Sequence, residues 1–171
     1  MLKPLLLFVV VCCFATTTAA QTGQREANLK AAFIYNFTKY VEWDSNYNNN
    51  DFVIGVIGDS PVIKSLTEIA KANLAKEKRI VIKIYNRPEE IGYCHILFIP
   101  RRIPFSLQSI LDKAGKGTLT ISEEPGFAKM GTAFNFIVSN DKLKFEVNLD
   151  KVYSAGLRAG SQLLKLAQIV D

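Results

Sequence analysis

Residues 52–74 read FVIGVIGDSPVIKSLTEIAKANL. The opening FVIGVI is apolar and rich in β-branched side chains, the composition of a strand buried on both faces. Gly58-Asp59-Ser60-Pro61 then combines a tight turn, a helix N-cap and a proline at the first helical position. A helix to about residue 74 follows. A strand that turns directly into a helix is half of a parallel βαβ unit, which a further strand downstream would complete.

The alternation goes on. Residues 80–85 are β-branched and strand-like, 86–92 form a loop, and 96–99 (ILFI) are a second continuously apolar strand. Leu107, Ile110, Leu111 and Ala114 recur at helical spacing within 105–114, and glycines close that helix before residue 118. Residues 119–121 make a short strand and 125–131 a turn or short helix. Residues 133–138 and 142–148 flank Ser139-Asn140-Asp141 as a β-hairpin. A last helix is expected over 150–168, capped by Asn148 or Asp150 and bending at Gly156 and Gly160. Upstream, Leu29, Phe33, Phe37 and Tyr40/Val41 form one stripe of a helix that gives out near Trp43, and the polar stretch 44–51 reads as an exposed loop. The expected fold is α/β, a single domain with a mixed, mostly parallel sheet of about six strands flanked by helices and a late antiparallel hairpin.

The first 20 residues have the character of a signal peptide: Lys3, an apolar run over 5–14, and Thr18-Ala19-Ala20 before Gln21. At about ten residues the run is short of the roughly 20 that span a bilayer. Export by a cleaved leader to the periplasm is the expectation; the rival is a lipoprotein leader modified at Cys12 or Cys13, against which Val11 and Cys12 stand where small residues are wanted. Loss of Lys3 leaves 20 of the 21 Lys and Arg against 16 Asp and Glu, a net +4. Apart from Lys76-Glu77-Lys78-Arg79 and Arg101-Arg102 these charges are dispersed, unlike a nucleic-acid-binding stripe. The cleaved chain keeps only Cys94, so it has no internal disulfide and relies on its core.

The chemistry on offer is sparse. His95 is the one histidine, no His or Cys pair has metal-ligand spacing, and Gly-x-Ser-x-Gly is absent. Cys94 and His95 are adjacent on a strand, so they face opposite ways and cannot pair. Gly55-Val-Ile-Gly58 lacks the dinucleotide and Walker patterns and reads as turn plus N-cap. No catalytic residue, metal ligand or cofactor is expected. Ligands of open parallel sheets tend to bind beyond the carboxyl ends of strands. Those ends carry Asp59, Ser60, Arg87, Arg101, Arg102, Ser122 and Glu123, a candidate rim for an anionic or zwitterionic small molecule. Ile34, Tyr35 and Trp43 lie off the aromatic stripe of the first helix and Leu166 adds to an apolar last helix, which makes these four the candidates for a protein contact.

Four blocks in order, LKAAFIYNFTKYVEW (29–43), CHILFIP (94–100), LTISEEPGFA (119–128) and FEVNLDKVYSAGLRAGSQLLKLAQIV (145–170), resemble the YfiR-like family over residues 27–170. Trp43 matches the tryptophan of the family's first block, although Asp44 stands where a proline often follows. The resemblance implies a periplasmic, non-enzymatic regulator that binds the periplasmic part of an inner-membrane signalling protein, with a diguanylate cyclase, and so cyclic di-GMP, as the candidate output. Some relatives carry disulfides, and this chain departs from them. A soluble periplasmic carrier or sensor of a small ligand is the alternative, and a homodimer stays open.

Overall fold

The computed structural model describes residues 3–43 and 50–171, with side chains from residue 22 onward. The leader's side chains and residues 44–49 of the expected loop lie outside the described residues. In chain order the elements are α1 (Lys3–Tyr40), β1 (Val41–Trp43), β2 (Asp51–Ile57), α2 (Val62–Ala72), β3 (Leu74–Ala75), β4 (Lys78–Tyr85), β5 (Ile96–Ile99), α3 (Leu107–Leu111) and β6 (Leu119–Ser122). They are followed by α4 (Phe127–Met130), β7 (Phe134–Ser139), β8 (Lys142–Asn148), α5 (Leu149–Ser154), β9 (Leu157–Ala159), α6 (Ser161–Leu164) and β10 (Gln168–Val170).

The main sheet has the order β10-β8-β7-β6-β5-β2-β4-β3. Strands β4, β2, β5, β6 and β7 are mutually parallel, and β8 returns antiparallel to β7. The α/β class, the mainly parallel sheet and the hairpin stand as expected. Six of the eight strands are those legible as apolar runs; β3 and β10 extend the two edges by two and three residues. The hairpin turns on Asn140 and Asp141, both at positive φ (52° and 56°), the backbone of a two-residue turn that follows the sheet's twist.

Both faces of the central strands are covered, which is why they read as continuous apolar runs rather than alternations. Phe52, Ile54 and Val56 face α1 and α2 in the larger core, while Val53 and Ile57 join Leu97, Ile99, Leu107 and Ile110 beneath α3. Gly55 lies on the second face, where an added Cβ would stand 2.7 Å from Tyr85 Cε2. Helix α1 sits on the hairpin through Phe37, whose ring meets Phe134 at 4.9 Å and Phe145 at 5.1 Å between centroids, both edge to face.

Two helical expectations need correction. The buried stripe of α1 is Ala27, Lys30, Ala31, Ile34, Phe37 and Thr38, continued by Val41 of β1 and rotated from the aromatic one, and Leu29 and Tyr40 are exposed. Ala27, Ala31 and Ile34 lie in the core, and α1 meets α2 beside them through Gln24 and Asn28, both hydrogen-bonded to Ser65. The last segment is not one helix. Asn148 caps α5 by accepting from Lys151 N–H at 3.1 Å, but Gly156 adopts φ +77° and turns the chain out of the helix. Leu157–Ala159 then pairs antiparallel with Val41–Trp43, so α1 runs directly into a strand.

Gly156→Ala distinguishes the two geometries by sign. In a continuous helix the exchange would stabilise by about 1 kcal/mol; at positive φ it is expected to destabilise by about 1–2 kcal/mol, read from the urea midpoint at unchanged m-value.

Candidate functional site

Parallel alignment of β4, β2, β5 and β6 does put their carboxyl ends on one rim, in the spatial order Arg87, Asp59/Ser60, Arg101/Arg102, Ser122/Glu123. The side chains are engaged there in different ways. Ser60 is buried: its Oγ accepts from Val62 N–H at 3.3 Å and its carbonyl from Ile63 N–H at 3.0 Å. Gly58 N–H donates to the Tyr85 carbonyl at 2.8 Å, so this amide is spent on pairing with the end of β4. Asp59 is exposed. Arg87 donates through Nε to Glu90 Oε1 at 3.2 Å. The Asn86 N–H, together with Arg87, holds the Glu90 carboxyl below its ordinary range.

Arg101 and Glu123 are brought together. Arg101 N–H donates to Glu123 Oε1 at 2.9 Å, and its guanidinium donates to the Glu123 carbonyl at 3.0 Å and lies 3.8 Å from Glu124 Oε2. The other Glu123 oxygen pairs with Lys30 Nζ of α1, which also pairs with Glu26 Oε1 at 2.5 Å. Lys30 and Glu123 are nearly sealed from water, with side chains 10% and 12% exposed. Arg102 is exposed, with φ +60°.

Ser122 does not belong to the rim surface. Period-two alternation into and along β6 turns Thr118, Thr120 and Ser122 to one face, where each hydroxyl finds a buried partner. Thr118 Oγ1 donates to the Cys94 carbonyl at 2.8 Å, and Thr120 Oγ1 accepts from Ala133 N–H at 2.9 Å. Ser122 Oγ donates to Asn135 Oδ1 at 2.7 Å and lies 2.8 Å from Thr132 Oγ1. Lys30 is the rim residue that the sequence reading missed. A lysine on a helix reads as solvated, and the signal that could have found it is its place in the stripe between Ala27 and Ile34, beside Ala31.

The four contact candidates separate by exposure. Ile34 is 0% exposed and carries no surface, a correction to its expected role. Tyr35 is half-buried; its hydroxyl donates to the Leu74 carbonyl at 3.3 Å and Lys39 Nζ stands 4.6 Å over its ring. Trp43 packs edge to face on Phe52 at 5.2 Å and donates through Nε1 to the His95 carbonyl at 3.2 Å. Leu166 is 71% exposed, between α6 and β10.

Cys94 and His95 do face opposite sides. His95 is buried, stacks on Phe52 at 4.4 Å and accepts from Val53 N–H at Nδ1 (3.1 Å). Cys94 lies in the second core, where burial pushes its thiol up to about 12. Burial likewise pushes Tyr85 up to about 12. Among the described residues no three His, Cys, Asp or Glu side chains are grouped to hold a metal ion.

Residues 27–168, most of the chain, match the YfiR/HmsC-like family, and the chain belongs to that family. No curated protein matches it.

Two predictions follow from these contacts. Glu123→Ala should destabilise by about 1–3 kcal/mol, less than for a wholly buried pair because Glu26 still faces Lys30. Lys30→Met combined with it should cost less than the sum of the singles, which chemical denaturation of the four proteins would show. For Cys94 the folded pKa is raised, so its contribution is intact below the ordinary thiol value of 9.0 and lost as pH rises towards 12. Stability should therefore fall above pH 9, less steeply in Cys94→Ala, and a thiol reagent at pH 8 should label the native protein at least about 100-fold more slowly than the unfolded one.

Proposed function

We propose that this member of a family of periplasmic regulators of diguanylate cyclase signalling is itself a non-enzymatic regulator that binds and restrains an inner-membrane signalling protein, a diguanylate cyclase, from the periplasmic side. The family match over most of the chain carries the reading. The mechanism is a population shift: a regulator that binds one state of its partner better than the other holds the equilibrium there. Export requires the leader over residues 1–20, cleaved after Ala20. Leu166 is the candidate contact residue with an exposed apolar side chain; Tyr35 and Trp43 contribute the parts of their rings that the core leaves open. The ion pairing of Arg101 with Glu124, and of Arg87 with Glu90, weighs against the small-ligand carrier, since two of the rim's three arginines already face protein carboxylates.

Deleting the gene should raise intracellular cyclic di-GMP, and a copy without residues 1–20 should fail to restore it. Leu166→Glu should lose the restraint with its thermal midpoint unchanged, because an unpaired charge in an apolar contact is costly to desolvate. Unchanged cyclic di-GMP on deletion rejects the reading. Intact-mass measurement of the exported protein should give a chain beginning at Gln21, and a lipid-bearing mass would reject the soluble form.

A further inference from the structure

Strand β4 has an open edge. Its partner β3 pairs only Lys78 and Arg79, and β4 runs on to Tyr85, so among the described residues 80–85 have no strand beyond them. Alternate backbone groups along such an edge point outward, ready for another strand. Beside it lies a groove of about 610 Å3 between α2 and β4, lined by Thr67, Ala70, Lys71, Leu74, Ile80 and Ile82. Two large apolar side chains stand exposed along this edge, Leu74 at 60% and Ile84 at 51%. A strand added here would drop every second side chain into the groove, on the side of Ile80, Ile82 and Ile84. The intervening side chains would lie on the other face, with Arg79, Val81 and Lys83.

Charge selects the occupant. Residues 62–85 contain Lys64, Lys71, Lys76, Lys78, Arg79 and Lys83 against Glu68 and Glu77, a net +4 in a chain whose whole net charge is +5. Counting Asp51, which pairs with Arg79 at 2.9 Å, the surface is still +3. Two copies of this chain joined edge to edge along 80–85 would bring two such positive surfaces together, each carrying Lys83 in the pairing strand, and like charges brought close repel. An acidic strand meets no such repulsion. We propose that the open edge of β4 and its groove form a strand-addition site for an extended, alternately apolar and acidic segment of the signalling protein that this chain regulates. This deepens the regulator reading and rests on it for the identity of the partner.

The test uses the purified protein and three synthetic nonapeptides: alternating valine and glutamate, alternating valine and lysine, and the glutamate peptide N-methylated at alternate residues. The glutamate peptide should bind and slow amide exchange over residues 80–85, with affinity falling at least about tenfold in Lys83→Glu and with rising salt. The lysine and N-methylated peptides should not bind. Absence of binding, equal binding of both charges, or protection away from 80–85 overturns the proposal, as does a homodimer that itself protects these amides. In cells, Lys83→Glu/Ile84→Glu is compared with gene deletion. A folded double variant that restrains like wild type, where deletion raises cyclic di-GMP, removes the edge and leaves the regulator reading standing. No effect of deletion removes the regulator reading, and the peptides alone then judge the edge.

Discussion

A helix laid on a sheet can slide and roll until one side chain locks it, and for α1 that side chain is Phe37. Fully buried, it meets Phe134 and Phe145 edge to face and lies stacked over Phe136 at 6.1 Å. Phe33 adds tilted and edge contacts with Phe145 and Phe136 from the previous turn. Rings in such arrangements accept few alternative poses. With the helix held at this point, its amino side brings Lys30 over the loop after β6, and its carboxyl end delivers Val41–Trp43 to β9. Two features far apart in sequence therefore depend on one aromatic contact.

The rim is shaped by that dependence. Lys30 and Glu123 are 93 residues apart and almost out of water, so each needs the other, and Glu26 and the Arg101 N–H complete the set. Charges committed in this way fix the loops at the ends of β5 and β6. They hold the carboxyl end of the sheet as a structural joint, while the unpaired backbone and the excess positive charge lie at the opposite side of β2, along β4.

What was legible in the sequence is what periodicity over several residues can carry. Residues 52–57, 80–85, 96–99, 119–121, 133–138 and 142–148 announce themselves as strands by β-branched or aromatic runs, and Asn140-Asp141 by turn chemistry. The remaining strands are two or three residues long, below any period, and exist only because a partner lies alongside. The last segment misled for a related reason: leucines at 157, 163, 164 and 166 imitate a helix, yet Gly156 ends α5 before them, Gly160 divides them, and the strands among the pieces pair with β1 and β8. Of the rim residues, parallel alignment was readable and engagement was not. Ser122 needed the alternation with Thr118 and Thr120, and Glu123 needed knowledge of which lysine lay across from it. Ile34 was placed wrongly because aromatic bulk outweighed the two alanines that mark the close-packed side of α1.

The sheet order β10-β8-β7-β6-β5-β2-β4-β3 also has a kinetic side. A chain that appears amino end first makes α1 early, but the ring partners of Phe37 arrive only when residues 134–145 have followed. Ordering such distant segments requires closing long loops before any contact rewards it, which slows folding. Helix α2 and strands β2, β4 and β5 can assemble by short crossovers and meet α1 while its aromatic side is still bare. The first helix made is thus the last to be fully seated, and for most of the chain's emergence the protein is a half-built sheet with an exposed, aggregation-prone aromatic stripe.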